Sequence, residues 1–176
     1  MLGQAAPQGG TRAAGGRAMS AHEVTLTPAE CLMASAVGAL RYSESLQFNR
    51  KDNHGLSQEI DGLGLHVLGA AGELAVARLL GRYWGGDVSS FKRADLGNSL
   101  QIRTRSKPHY DLIVRNDDSP ENYYVLVTGT TTRLQVHGWI RGADARKDEF
   151  LKTYGDRPAA WFVPQSQLQP LIKKEY

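Results

Sequence analysis

At 176 residues with 41% hydrophobic side chains, the chain is sized for one domain with a core of its own. Its net charge of +3 is small, and a single cysteine, Cys31, excludes an internal disulfide and argues against a cysteine-based zinc site. The longest apolar run, Leu32 to Leu40, is too short to cross a bilayer, and the N-terminus lacks the apolar stretch of an export signal. These features predict a cytoplasmic protein with no membrane partner.

Residues 1–20 are rich in Gly, Ala, Gln and Arg without an apolar period, and predict a flexible tail reaching residue 26, with Met19 as a conceivable start. One domain is expected over 27–176. It opens on Thr27-Pro28-Ala29-Glu30, which combines an N-cap threonine, proline at the first helical position and glutamate at the capping-box position. The helix that follows is expected to bury Met33, Val37 and Leu40, and residues 49–61 read as a loop. Cys31 falls in this helical pattern as a buried thiol.

A second helix is expected over about 65–83. Apolar or small residues surround it on nearly every side, which is the pattern of a buried helix. Glu73 lies in its middle and shares its face with Gly69, Ala70, Val76, Ala77 and Leu80. A carboxylate there costs several kcal/mol unless something pairs with it. Either an arginine salt bridge or a functional role would supply the partner.

Strands follow. Residues 100–105 alternate, with Leu100 and Ile102 on one face and Gln101, Arg103 and Arg105 on the other. Residues 110–114 and 123–128 read as central strands joined by a segment dense in turn residues, and 134–140 and 159–163 as two more. Short helices are expected over 142–151 and 165–173. Helices at both ends of a five-strand run predict a mixed α/β sheet domain. Between Lys92 and Arg115 stand six cations (Lys92, Arg93, Arg103, Arg105, Lys107, Arg115) against two acids (Asp95, Asp111), the electrostatic footprint expected for a phosphate backbone.

The order of chemistry-bearing residues is a buried glutamate on a helix, Glu73, an aspartate before a strand, Asp95, then Gln101 and Arg103 on that strand. With Gly72-Glu73-Leu74-Ala75, Gln101-Ile102-Arg103-Thr104, Leu112-Ile113-Val114, Val125-Leu126-Val127-Thr128-Gly129, Gly138-Trp139-Ile140 and Phe162-Val163-Pro164-Gln165, the chain resembles the PD-(D/E)XK nuclease superfamily, in particular its small phage-encoded members, over about 27–171. The resemblance implies a restriction-endonuclease-like mixed central sheet flanked by helices. It further implies hydrolysis of DNA phosphodiester bonds, with Glu73 and Asp95 as ligands of Mg²⁺ (or Mn²⁺). Gln101 would be a neutral ligand, Arg103 the phosphate or water contact, and Arg103, Arg105 and Lys107 the DNA-binding residues. No small-molecule cofactor is implied.

Two positions depart from the family pattern: Gln101 stands where an acid is expected and Arg103 where lysine is expected. Glutamine removes a negative charge from the metal ligands. Arginine stays protonated and suits phosphate clamping better than water activation. Asp111 is a candidate displaced acid. The alternatives are therefore a weakened nuclease, a catalytically inactive DNA-binding or structural phage protein that keeps the fold, and a protein-interaction module. The five histidines show no metal-ligand spacing, and the glycine pairs near 62–64 and 69–72 lack the lysine of a nucleotide loop. Trp139 and Trp161 read as core residues.

Overall fold

The computed structural model describes residues 21–48, 62–88 and 94–172. The expected tail over 1–20, the loop over 49–61, and Lys92 and Arg93 lie outside them. The chain begins with strand β1 (His22–Thr25), helix α1 (Pro28–Gln47) and helix α2 (Gly62–Leu79). Strands β2 (Leu100–Arg105), β3 (Leu112–Val114), β4 (Tyr123–Gly129) and β5 (Arg133–Arg141) follow, then a single-turn helix α3 (Gly142–Ala145) and strands β6 (Leu151–Lys152) and β7 (Ala160–Val163). The result is an α/β domain with a mixed four-stranded sheet, ordered β1-β5-β4-β2, and a second sheet ordered β3-β7-β6. Only β2 and β4 run parallel within the larger sheet.

The N-terminus of α1 forms as its residues dictate. The Thr27 hydroxyl accepts from the Glu30 amide at 3.3 Å, and Glu30 Oε2 accepts from the Thr27 amide at 2.7 Å, a complete capping box. Residues 22–25, expected in the tail, instead pair with β5, and Val24 and Leu26 are buried. The buried face of α1 also differs from expectation. Ala34 and Gly38 face the core, Val37 is partly buried, and Met33 and Leu40 are 51% and 56% exposed. The cause is a close helix crossing: a Cβ at Gly38 would fall 2.5 Å from the Val67 Cα, so only a hydrogen fits. Small residues, not large ones, mark that interface.

Helix α2 is buried on nearly all sides, between α1 and the four-stranded sheet. Its length and composition would also suit a membrane span, but here it is a core helix. It stops at Leu79, four residues before the expected end. Gly81, at φ 59°, donates to Arg78 O while Arg82 donates to Ala77 O, the two bonds of a Schellman cap. Gly72 lies against β2, where a Cβ would overlap the Thr104 hydroxyl and its methyl group. Gly72→Ala should therefore lower stability by about 1–3 kcal/mol, against the roughly 1 kcal/mol that alanine gains over glycine in a helix. Urea denaturation of Gly72→Ala with and without Thr104→Ala checks the contact, since partial recovery in the pair is the expected result.

The larger sheet separates two cores. Ile102, Val125, Val127, Leu134 and Val136 pack toward α2, whereas Tyr124, Leu126 and Ile140 pack against Leu112, Val114 and Val163 of the small sheet. A bulge makes this possible on β5. Val127 pairs with Val136 but Leu126 pairs with Gly138, which leaves His137 as an extra residue and reverses the facing of everything after it. His137 Nε2 lies 2.7 Å from Thr128 Oγ1, and burial lowers the histidine pKa.

Three expectations for the second half are corrected. Residues 112–114, expected to be central beside 123–128, pair with β7 in the separate sheet. Long-range partner choice depends on packing that local propensity does not encode. The helix expected over 142–151 is one turn of α-helix followed by a 3₁₀ turn, Asp148–Phe150, and strand β6; that over 165–173 is a 3₁₀ turn, Gln165–Gln167.

Candidate functional site

Glu73 is 7% exposed and its charge is met in full. Arg41, on α1, approaches as a fork: Nη1 donates to Oε1 at 2.6 Å and Nη2 to Oε2 at 2.9 Å. Trp84 Nε1 donates to Oε2 at 3.1 Å. Arg41 also donates from Nε and Nη2 to the Asp87 carbonyl at 2.9 and 2.7 Å, tying α1 to the segment after α2. Its position follows from α1: Ala34, Gly38 and Arg41 recur at helical spacing, so the face that crosses α2 closely ends in a guanidinium over Glu73.

Asp95 sits just before β2, which is an end strand of its sheet. Its Oδ2 accepts from the Ile102 amide at 2.6 Å, so the carboxylate covers a main-chain donor at that strand. Burial, and then the charge of Glu73, push the Asp95 carboxyl up to about 6, against the pull of the Ile102 amide, Arg103 and Arg41. Glu73 and Asp95 thus feel one another through a shared field.

The other two motif residues face elsewhere. Ile102 and Thr104 pack on α2, so alternation turns Gln101, Arg103 and Arg105 to the opposite side of the sheet. Arg103 Nη2 bonds Asp118 Oδ1 at 2.6 Å, and its guanidinium lies 5.3 Å from the centre of the Tyr124 ring. Asp118 Oδ2 in turn accepts from the Arg115 amide at 2.8 Å, and the Asp118 carbonyl accepts from Arg146. Arg105 donates to the Asp111 carbonyl at 3.0 Å and stacks 4.2 Å over Tyr110; its burial lowers its pKa. Lys107 is half-buried. Asp111 lies on this same side, 3.9 Å from Lys152 and remote in role from Glu73.

The arrangement therefore lets the Glu73 charge reach Asp95 and leaves Gln101 and Arg103 across the sheet from Glu73. Among the described residues, no three of His, Cys, Asp and Glu stand where one metal ion could take them. As arranged the donor set does not fit a divalent ion: both Glu73 oxygens are bonded to a guanidinium, and Gln101 adds no charge from the far face. No family model matches the chain, and neither does a curated protein or a solved structure.

Sequence reasoning anticipated an arginine as one possible partner for Glu73 but did not find Arg41, Trp84 or Asp118. The one local signal for Arg41 is the small-residue face that precedes it on α1.

Proposed function

We propose that the chain is a PD-(D/E)XK-like domain of restriction-endonuclease type that holds DNA in the cytoplasm and has lost efficient cleavage. The observation that supports this reading best is the division of the four motif residues between two faces of one sheet. Two of the three charged members are neutralised by protein partners, Glu73 by Arg41 and Arg103 by Asp118. A hydrolytic centre needs its ligands and its water-activating group around one point. On this reading Arg105 and Lys107, on and just after β2, are the cations offered to a phosphate backbone, and Arg103 would join them only by leaving Asp118. They supply sequence-independent affinity.

A second reading, a working Mg²⁺- or Mn²⁺-dependent deoxyribonuclease, is favoured by Asp95. A carboxyl held up to about 6 beside a second carboxylate is one that an added cation would relieve. Parent protein and a Gln101→Glu/Arg103→Lys variant, incubated with duplex and single-stranded DNA and either metal, separate the two. Binding without cleavage by both is the expected result, since two substitutions on the far face leave Glu73 clamped. Cleavage by the parent sinks the silent reading. Binding itself should weaken linearly in log affinity against log salt, and loss of Arg105 or Lys107 should each reduce that slope by about one. Affinity that does not change with salt would favour a protein-interaction module.

A further inference from the structure

The acidic cluster around Glu73 has a cation in it already. Three carboxylates favour the charged form of Arg41, those of Glu73, Asp95 and Asp87, and they do so against the cost of its burial. The guanidinium spends its Nη1, Nη2 and Nε on oxygen alone: both Glu73 carboxylate oxygens at 2.6 and 2.9 Å and the Asp87 main-chain carbonyl at 2.9 and 2.7 Å. Carboxylates and a main-chain carbonyl are the donors that hard divalent cations take. One guanidinium brings one positive charge where such an ion brings two.

We propose that Arg41 is the resident cation of this cluster, standing in place of a divalent ion. The folded chain therefore excludes such ions from the Glu73 carboxylate and the Asp87 carbonyl, and removal of the Arg41 side chain turns the same oxygens into a divalent-cation site. The inference rests on the acid cluster and not on DNA binding, so each stands or fails without the other.

Thermal melts of the full chain near neutral pH, in EDTA and then with rising MnCl₂ or MgCl₂ at constant ionic strength, test it. The parent melting temperature should not respond. Arg41→Ala should melt lower in EDTA and recover with either metal, saturably, by about 5–10 °C at a hundredfold excess over the dissociation constant. Arg41→Ala/Glu73→Gln, which lacks the carboxylate, should not respond. If Arg41→Ala fails to fold in EDTA, a cooperative melt should return on refolding with Mn²⁺, and no return overturns the proposal. It is equally overturned if the parent is stabilised by the metal and Glu73→Gln abolishes the effect. A response no larger in Arg41→Ala than in the double variant overturns it as well.

Discussion

Truncating Glu73 to alanine is expected to cost about 3–5 kcal/mol, the range for removing one partner of a buried ion pair. Arg41 is then left with 15% of its side chain exposed and no counter-charge at the fork, and the Trp84 N–H loses its acceptor. A typical domain is stable by only about 5–15 kcal/mol, so the loss is a large fraction of the whole. Glu73→Leu with Arg41→Met should behave differently. Replacing a buried pair by apolar side chains of similar volume is often neutral or stabilising by about 1–4 kcal/mol. Urea unfolding of the single and double variants decides the matter. A single variant within about 1 kcal/mol of the parent would mean that water reaches the pair freely.

Asp95→Asn should make the protein more stable at neutral pH, by about 2–3 kcal/mol from a displacement of roughly two pH units. Burial, and then the charge of Glu73, push the folded carboxyl up to about 6, above the ordinary 3.8. Between those values the folded state holds a proton that the unfolded state has lost. Stability therefore falls as pH rises from about 4 to about 6 and stays lower above that. Asparagine keeps an oxygen for the Ile102 amide, which Asp95 accepts at 2.6 Å, and carries no charge to repel Glu73. The difference in unfolding free energy between variant and parent, measured across this range, should grow with pH and then level off. A flat difference would show that Asp95 ionises normally in the folded chain.

What could be read from the residues was what depends on near neighbours. The capping box at Thr27 needs only Thr27 and Glu30, three positions on, and its two bonds are both present. The burial of α2 and of Glu73 followed from apolar side chains all round one helix, a property that survives ignorance of what packs there. The face of α1 could not be read in the same way. Hydrophobic periodicity favours Met33 and Leu40, yet the interface is set by how near two backbones come at Gly38 and Val67. Strand β3 was legible as a strand but not in its pairing with β7, some fifty residues on. At the site, Glu73 and Arg103 were found and their opposite charges, Arg41 and Asp118, were not. Arg41 meets Glu73 from 32 positions away, and Arg103 meets Asp118 across a turn whose course depends on the second sheet.

The extra residue at His137 has a consequence for how the domain comes apart. Leu134 and Val136 belong to the helix-side core, while Ile140, a few residues along the same strand, belongs to the other. One strand is thus a wall common to two rooms, and its register cannot slip for one core while it holds for the other. Separating the small sheet would strip Ile140, Tyr124 and Leu126 of their cover and loosen the strands that roof α2. The two cores should melt together in a single cooperative transition. Low-energy local opening is left to places such as β6, two exposed residues at the outer edge of the small sheet.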